Sequence, residues 1–280
     1  MNQTKKYNFL FFLFLFISNI TYCQEQEHYI WVFADTAYVI SDLTDTHDTI
    51  LSLSWMDSIP YISKYGYDYS YMHRYDNTWW FKCFMNSDTG WIKYSDASLV
   101  KKVLKSDKGY AFIRQAYSNG LPYWDHIVIL NSDNELRKDF NDIGFDQGLW
   151  ISPEYFLFNG SMSVYVYSYP QNNLIRLDTA REFIWNKDLM KVISIFTSKF
   201  YPKKISISSI NIDGTGRQTL FSIDTNITQL GLDYDDYDFI DFKIEKYNGI
   251  DAYSFWVTTS DREAKIYIDW EGHHLSTTYH

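Results

Sequence analysis

The chain has 280 residues, with 35 acidic against 25 basic side chains and a formal net charge of −10. That balance argues against nucleic acid as the partner, because phosphate contacts require a basic face. With 25 Tyr, 20 Phe and 10 Trp against only 12 Gly and 5 Pro, the composition favours pleated, half-buried segments and predicts an all-β protein.

Lys5 and Lys6 precede nine uninterrupted apolar residues, Phe9 to Ile17, and the smaller, more polar Ser18 to Cys23. This is the layout of a secretory signal peptide over residues 1–23, and it is too short for a membrane crossing, which takes about 20 apolar residues. Cleavage after Cys23 would remove two Lys and no acid, moving the charge from −10 to −12. Cys83 would then be the only cysteine, so no internal disulfide would form. The alternative is a lipoprotein acylated on Cys23, although Tyr22 is bulky where such signals place small residues. Both readings make the protein exported, periplasmic or secreted, with a lipid on Cys23 as its sole membrane tie.

Residues 29–100 read as a first domain. Ala37 to Ser41 forms a short alternating strand, Thr49 to Leu53 leads to a turn at Ser54 to Ser58, and Ile59 to Ile62 leaves it. Trp79–Met85 pairs with Trp91–Tyr94 across Asn86-Ser87-Asp88-Thr89-Gly90, whose Asn, Asp and Gly tolerate turn geometry. The order of these strands and the Gly90-Trp91-Ile92 ending resemble bacterial SH3-like domains, and the resemblance implies a small barrel that binds peptide or cell-envelope material. Ile40-Ser41-Asp42-Leu43 departs from the Arg and Gly- or Pro-bearing loop of that family, so ligand contacts of that loop do not carry over. Between the strands, Ser63 to Thr78 carries Tyr65, Tyr67, Tyr69, Tyr71 and Tyr75. Tyrosine offers flat apolar area with a polar hydroxyl, which makes Tyr65, Tyr67, Tyr69 and Tyr71, with Trp79 and Trp80, the candidate ligand contacts. The competing reading is an extended hairpin whose alternating tyrosines pack on the barrel. Only the outward member of Trp79 and Trp80 could touch a ligand, since neighbours in a strand face opposite ways.

Residues 101–108 are basic and poor in apolar pattern, and read as a linker. Residues 109–280 then contain four similar hairpin cores, His126–Phe140, Val164–Asp178, Ile207–Ile223 and Ala264–Thr277, with turns near Asp133, Gln171, Gly214 and Glu271. The first two spacings are about 40 residues and the last is 57, and periods near 40 with several strands each suggest a β-meander repeat, propeller-like or an open or two-layer sheet, the longer last spacing favouring irregularity. In the third core, Asn211-Ile212-Asp213-Gly214-Thr215-Gly216 resembles the Asp-Gly turn in blades of TolB-like propellers, although such turns are common in hairpins.

Chemistry-bearing motifs are sparse. Asp233, Asp235, Asp236 and Asp238 form an acidic run that offers oxygen ligands for Ca²⁺ but lacks the ordered spacing and central Gly of an EF-hand loop. His273 and His274 are adjacent, so in an extended segment they diverge and do not share an ion. Cys83 lies inside an apolar strand, as a packed thiol does. Gly-x-Ser-x-Gly is absent, and Gly214-Thr215-Gly216 is not followed by a phosphate-loop Lys. Paired carboxylates remain open, because their separation is a three-dimensional fact. The expectation is therefore a non-catalytic exported binding protein, with no catalytic residues and no cofactor, that recognises a peptide, glycan or protein of the cell envelope. The alternatives are an assembly or inhibitor-type protein docking through the repeat domain and a carboxylate-dependent hydrolase.

Overall fold

A computed structural model describes residues 28–61, 72–75, 78–85, 88–118, 121–198, 204–224, 238–258 and 263–280. Every regular element among them is a strand, so the protein is all-β. The chain divides into two compact units, Met1–Val100 with Tyr117–Pro122, and Lys101–Ala116 with Tyr123–His280.

In the first unit, β1 (His28–Val32), β4 (Ser58–Tyr61) and the start of β8 (Ala97–Lys105) lie side by side in the order β4-β1-β8. The strands β2 (Thr36–Asp42), β3 (Asp45–Ser54), β5 (Met72–Tyr75), β6 (Thr78–Met85) and β7 (Asp88–Lys93) form a sheet in the order β3-β2-β7-β6-β5. Val32, Ala37, Val39, Leu53, Ile59, Phe81, Cys83 and Ile92 meet in one buried cluster. They alternate along their strands, as β2 shows with Ala37 and Val39 buried between exposed Thr36 and Tyr38. The β6–β7 hairpin is tighter than its sequence suggests. Met85 pairs with Asp88, and Gly90 sits within β7 opposite Cys83. Gly90 serves close packing here, since a Cβ on it would lie 2.5 Å from a Val39 methyl. Residues 101–105, expected in a linker, continue strand β8.

The second unit repeats one plan. A sheet runs from the end of β8 through β9 (Gly109–Ser118), β10 (Leu121–Asn131) and β11 (Leu136–Phe140). Three further four-stranded sheets follow in sequence order. They are β12 (Gln147–Ser152), β13 (Tyr155–Gly160), β14 (Ser163–Ser168) and β15 (Asn173–Thr179); β16 (Glu182–Asn186), β17 (Lys191–Ser198), β18 (Lys204–Ile210) and β19 (Gln218–Asp224); and β20 (Asp238–Tyr247), β21 (Ile250–Thr258), β22 (Glu263–Ile268) and β23 (His274–Tyr279). All pairings described within these three sheets are antiparallel. The result is a propeller-like succession of sheets.

The four hairpin cores are the third and fourth strands of the four sheets, and their turns share one geometry. The fourth turn residue, Asn134, Asn172, Gly214 or Gly272, has positive φ in every copy. Its N–H donates to the carbonyl of the first, Asn131, Tyr169, Asn211 or Asp269, at 3.1, 3.3, 3.0 and 3.2 Å respectively. Each adjoining strand pair also has a register shift, next to the turn in the first and fourth copies, as expected where a left-handed residue forces a bulge, and farther from it in the second and third.

Packing follows the sequence order of the sheets. Ile113, Ile127, Ile129 and Phe140 of the first sheet meet Phe156, Phe158 and Tyr167 of the second. Leu157, Val164 and Val166 on the second sheet's other face meet Phe183, Val192 and Ile210 of the third. Ile193, Ile195, Ile205 and Ile207 of the third meet Tyr253, Phe255 and Val257 of the fourth. Strand β13 is thus buried on both faces, which is why Phe156-Leu157-Phe158 is a continuous apolar run rather than an alternating one.

Candidate functional site

Of the sequence-predicted contacts, Trp79 and Trp80 are the ones among the described residues. Tyr65, Tyr67, Tyr69 and Tyr71 lie outside the described residues, as do residues 1–23 and Asp233, Asp235 and Asp236; Asp238 opens β20 opposite Thr258. Trp79 and Trp80 are both described. Trp79 shares its alternation with Phe81 and Cys83 of the core, whereas Trp80 belongs to the opposite face and is nevertheless only 3% exposed. Lys93 Nζ lies 5.5 Å from the Trp80 ring centroid, and Lys82 Nζ the same distance from Trp91. Burial pushes the Cys83 thiol pKa up to about 12, with weaker opposing hydrogen bonds from Gly90 and its own backbone. That is the environment of an inert packed thiol.

Among the described residues, Asp269, Glu271 and His273 place metal-competent ligand atoms within 4.8 Å of one another. Comparison with the other repeats gives this group a structural explanation. His273 Nδ1 and Asp269 Oδ2 are 2.8 Å apart, joining the fifth turn residue to the first. The equivalent positions are joined by Asn131 Nδ2 donating to Glu135 Oε2 at 2.8 Å and by Asn211 Nδ2 donating to Thr215 Oγ1 at 3.1 Å. Asp269 Oδ1 already accepts the N–H groups of Glu271 and His273. The carboxylate closes a turn, as Asx side chains do.

A different set of groups converges at the seam between the first and second sheets. Asp125, on β10, accepts Lys101 Nζ at 2.8 Å on Oδ1 and 3.2 Å on Oδ2. Its backbone carbonyl accepts the Phe145 N–H at 2.9 Å, which ties β10 to the segment between β11 and β12. Asp146 follows directly. Its N–H donates to the Asn159 carbonyl at 3.0 Å, and Asn159 Oδ1 accepts the next N–H, of Gln147, at 3.0 Å. Gly144 and Gly160 pack backbone against backbone at the base of this segment, where a Cβ on Gly160 would sit 1.3 Å from the Gly144 oxygen. Partial desolvation, then the negative charge of Asp125, raises the Asp146 carboxyl above the usual carboxylate range. Asp146 is exposed as a residue, so the charge of Asp125 is the firmer of the two causes.

On the opposite face of β10 stands His126, since neighbours in a strand alternate. Burial and the Arg114 guanidinium lower its pKa, against the raising pull of Asp139, Asp125 and Asp142. Arg114 Nη2 pairs with Asp139 Oδ2 at 2.8 Å, while Asp139 Oδ1 is buried with no hydrogen-bond partner. The seam therefore holds two carboxyl groups in unlike environments, one clamped by a cation and one inclined to keep its proton. This is the arrangement that separates acid and base roles. No motif marks it, because Asp125 and Asp146 lie on separate segments joined only through the β10–β11 hairpin; the one signal in the sequence is the Asp125-His126 pair at the start of a repeat core.

No protein-family model matches the chain, and no curated protein matches it. Among solved structures, the chain is similar to a protein from Lactobacillus plantarum at 9% identity and a TM-score of 0.36, over 90% of this chain and 82% of that one. Two others are each described as a "putative 6-phosphogluconolactonase". The one from Bacteroides uniformis shows 9% identity and a TM-score of 0.28 over 92% and 100% of the two chains. The one from Bacteroides fragilis shows 8% and 0.30 over 90% and 94%. The expectation of a non-catalytic binding protein, and with it the exclusion of an enzyme, is corrected on these neighbours, since the names carried by two of them are those of hydrolases. Likeness at this level does not transfer their activity to this chain, and any chemistry here has to rest on its own side chains.

Proposed function

We propose that this chain is an exported carboxylate-dependent hydrolase acting on an ester or glycosidic bond at the seam between the first two sheets of the repeat unit. Asp146, whose carboxyl pKa is raised by partial burial and by the charge of Asp125, is the general acid that protonates the leaving oxygen. Asp125, paired with Lys101, is the partner carboxylate that activates water or stabilises developing positive charge. The observation that carries the reading is the placing of Asp146, whose carboxyl pKa is raised partly by Asp125, beside an Asp125 that is clamped by Lys101. Export is supported by the basic-apolar leader from Lys5 to Cys23.

The test is a panel of 4-nitrophenyl esters, 4-nitrophenyl glycosides and sugar lactones, assayed with the wild type and Asp125→Asn. The reading expects turnover of at least one class, reduced about 100-fold or more in the variant, as loss of an acid–base group does. Absence of turnover across the panel, or equal rates in the two proteins, would remove it.

A further inference from the structure

Resting on the hydrolase reading, we infer that Asn159 is the positioning residue of the site: its buried side chain anchors the segment that carries Asp146, so that the acid is presented beside Asp125. Three consecutive N–H groups hold that segment. Phe145 donates to the Asp125 carbonyl at 2.9 Å, and Asp146 to the Asn159 carbonyl at 3.0 Å. The third, Gln147, donates to Asn159 Oδ1 at 3.0 Å, so this bond alone of the three depends on a side chain. Asn159 Nδ2 in turn donates to the Arg181 carbonyl at the entry to the third sheet. These two bonds fix the orientation of the amide, since a flipped one would set its NH2 against the Gln147 N–H and its oxygen against the Arg181 carbonyl.

The third sheet shows the same place holding a different residue. Gln147 pairs with Asn159 and Glu182 with Ile195. The Arg181 N–H donates to the Ile195 carbonyl at 3.1 Å, as the Asp146 N–H does to that of Asn159. Asn159 and Ile195 are therefore equivalent, and each is only 1% exposed. The fold closes this turn with an isoleucine, whereas an amide at the same depth has to be desolvated and needs partners. What changes between the two copies is the residue being held, Asp146 in the second sheet and Arg181 in the third. The polar anchor accompanies the acid, and the apolar one accompanies the arginine.

The experiment introduces Asn159→Ile, which copies the third sheet, and follows kcat, KM and the pH profile on the best substrate of the panel, with the melting temperature alongside. The inference expects kcat to fall about 10- to 100-fold with KM changed by less than about threefold, as misplacement of a reacting group does. It also expects the alkaline limb to move to lower pH. A released Asp146 is better solvated and farther from Asp125, which removes both causes of its raised pKa, so it gives up its proton sooner. Asn186→Ala is the structural control, because it deletes an equally buried amide that bridges the third and fourth sheets; it should lower the melting temperature and leave the limb in place. An unmoved limb in Asn159→Ile, whatever the change in kcat, would overturn the inference while leaving the hydrolase reading standing. If Asn159→Ile does not fold, Asn159→Ala is read in the same way, and failure of both to fold would assign the side chain to the fold itself and overturn the inference. A wild type silent across the whole panel would remove the reading and the inference together.

Discussion

Ser194 Oγ donates a 2.6 Å hydrogen bond to Asp178 Oδ2, joining β17 of the third sheet to the end of β15 in the second. Asp178 Oδ1 accepts the Thr179 N–H at 2.8 Å and pairs with Arg217 Nη2 at 2.8 Å. Both residues are buried, and the carboxylate has several partners because a buried charge is tolerated only when paired and hydrogen-bonded. Asp178→Ala should cost about 2–4 kcal/mol, since it strands the Ser194 hydroxyl and the Thr179 N–H. Ser194→Ala should cost about 1 kcal/mol. Urea unfolding of the two variants checks the order, and an Asp178→Ala protein as stable as wild type would show that the bond does not secure the sheets.

The third and fourth sheets are joined by Asn186 Nδ2 donating to Tyr253 Oη at 3.0 Å. Burial pushes the Tyr253 phenol pKa from 10.0 to about 12, with the Asn186 bond opposing and Glu271 adding a smaller push upward. A pKa raised in the folded state means that the folded protein holds its proton more tightly. The associated stability is full below the unfolded value and is lost as pH rises through the folded one. The Cys83 thiol behaves alike, moving from 9.0 to about 12. Stability should therefore decline between pH 9 and 12, and Tyr253→Phe should flatten the upper part of that decline while lowering stability at pH 7 by about 1–2 kcal/mol. Melting temperatures of both proteins across this range decide the matter.

The shared turn geometry makes Asn134, at φ 63°, equivalent to Gly272, at φ 98°. Asn134→Gly should be nearly neutral and Asn134→Val should destabilise by about 1–2 kcal/mol, because β-branched side chains resist left-handed backbone. Equal stability of the two variants would mean that the repeat relationship does not extend to the backbone.

That repeat was legible in the sequence because this turn advertises itself with Asn, Asp or Gly between apolar strands. The earlier strands were less so. The β13–β14 turn places Ser161 and Met162 at positive φ, 50° and 60°, with no glycine at either position, whereas the Asn159-Gly160 pair that looks like the turn belongs to β13. The Asn86–Gly90 segment misled in the opposite direction, since Gly90 reads as a turn residue but faces Val39 within a strand. The carboxyl pair was illegible because strand pairing, rather than spacing in the chain, sets the surroundings of Asp125 and Asp146. Trp80 shows the same limit from the other side: alternation correctly removes it from the core row, yet says nothing of what covers it.

Gly160 fixes the segment that carries Asp146. Gly160→Ala places a methyl where the Gly144 carbonyl stands, so the segment must shift, at a cost of about 2–4 kcal/mol by analogy with overpacking of a tight site. If the seam is the active site, the folded fraction of this variant should also lose activity, measured per folded molecule by circular dichroism at low temperature. Retained specific activity would place the chemistry elsewhere.

The most direct measurement is the pH dependence of kcat/KM for the best substrate of the panel, for wild type and Asp146→Asn, with the melting temperature of each recorded alongside. The account predicts a wild-type rate that falls as pH rises past the raised pKa of Asp146, because a general acid works only while protonated. It also predicts a drop of about 100-fold or more in the variant at unchanged melting temperature. A variant that keeps the wild-type kcat/KM and the same alkaline limb would contradict it.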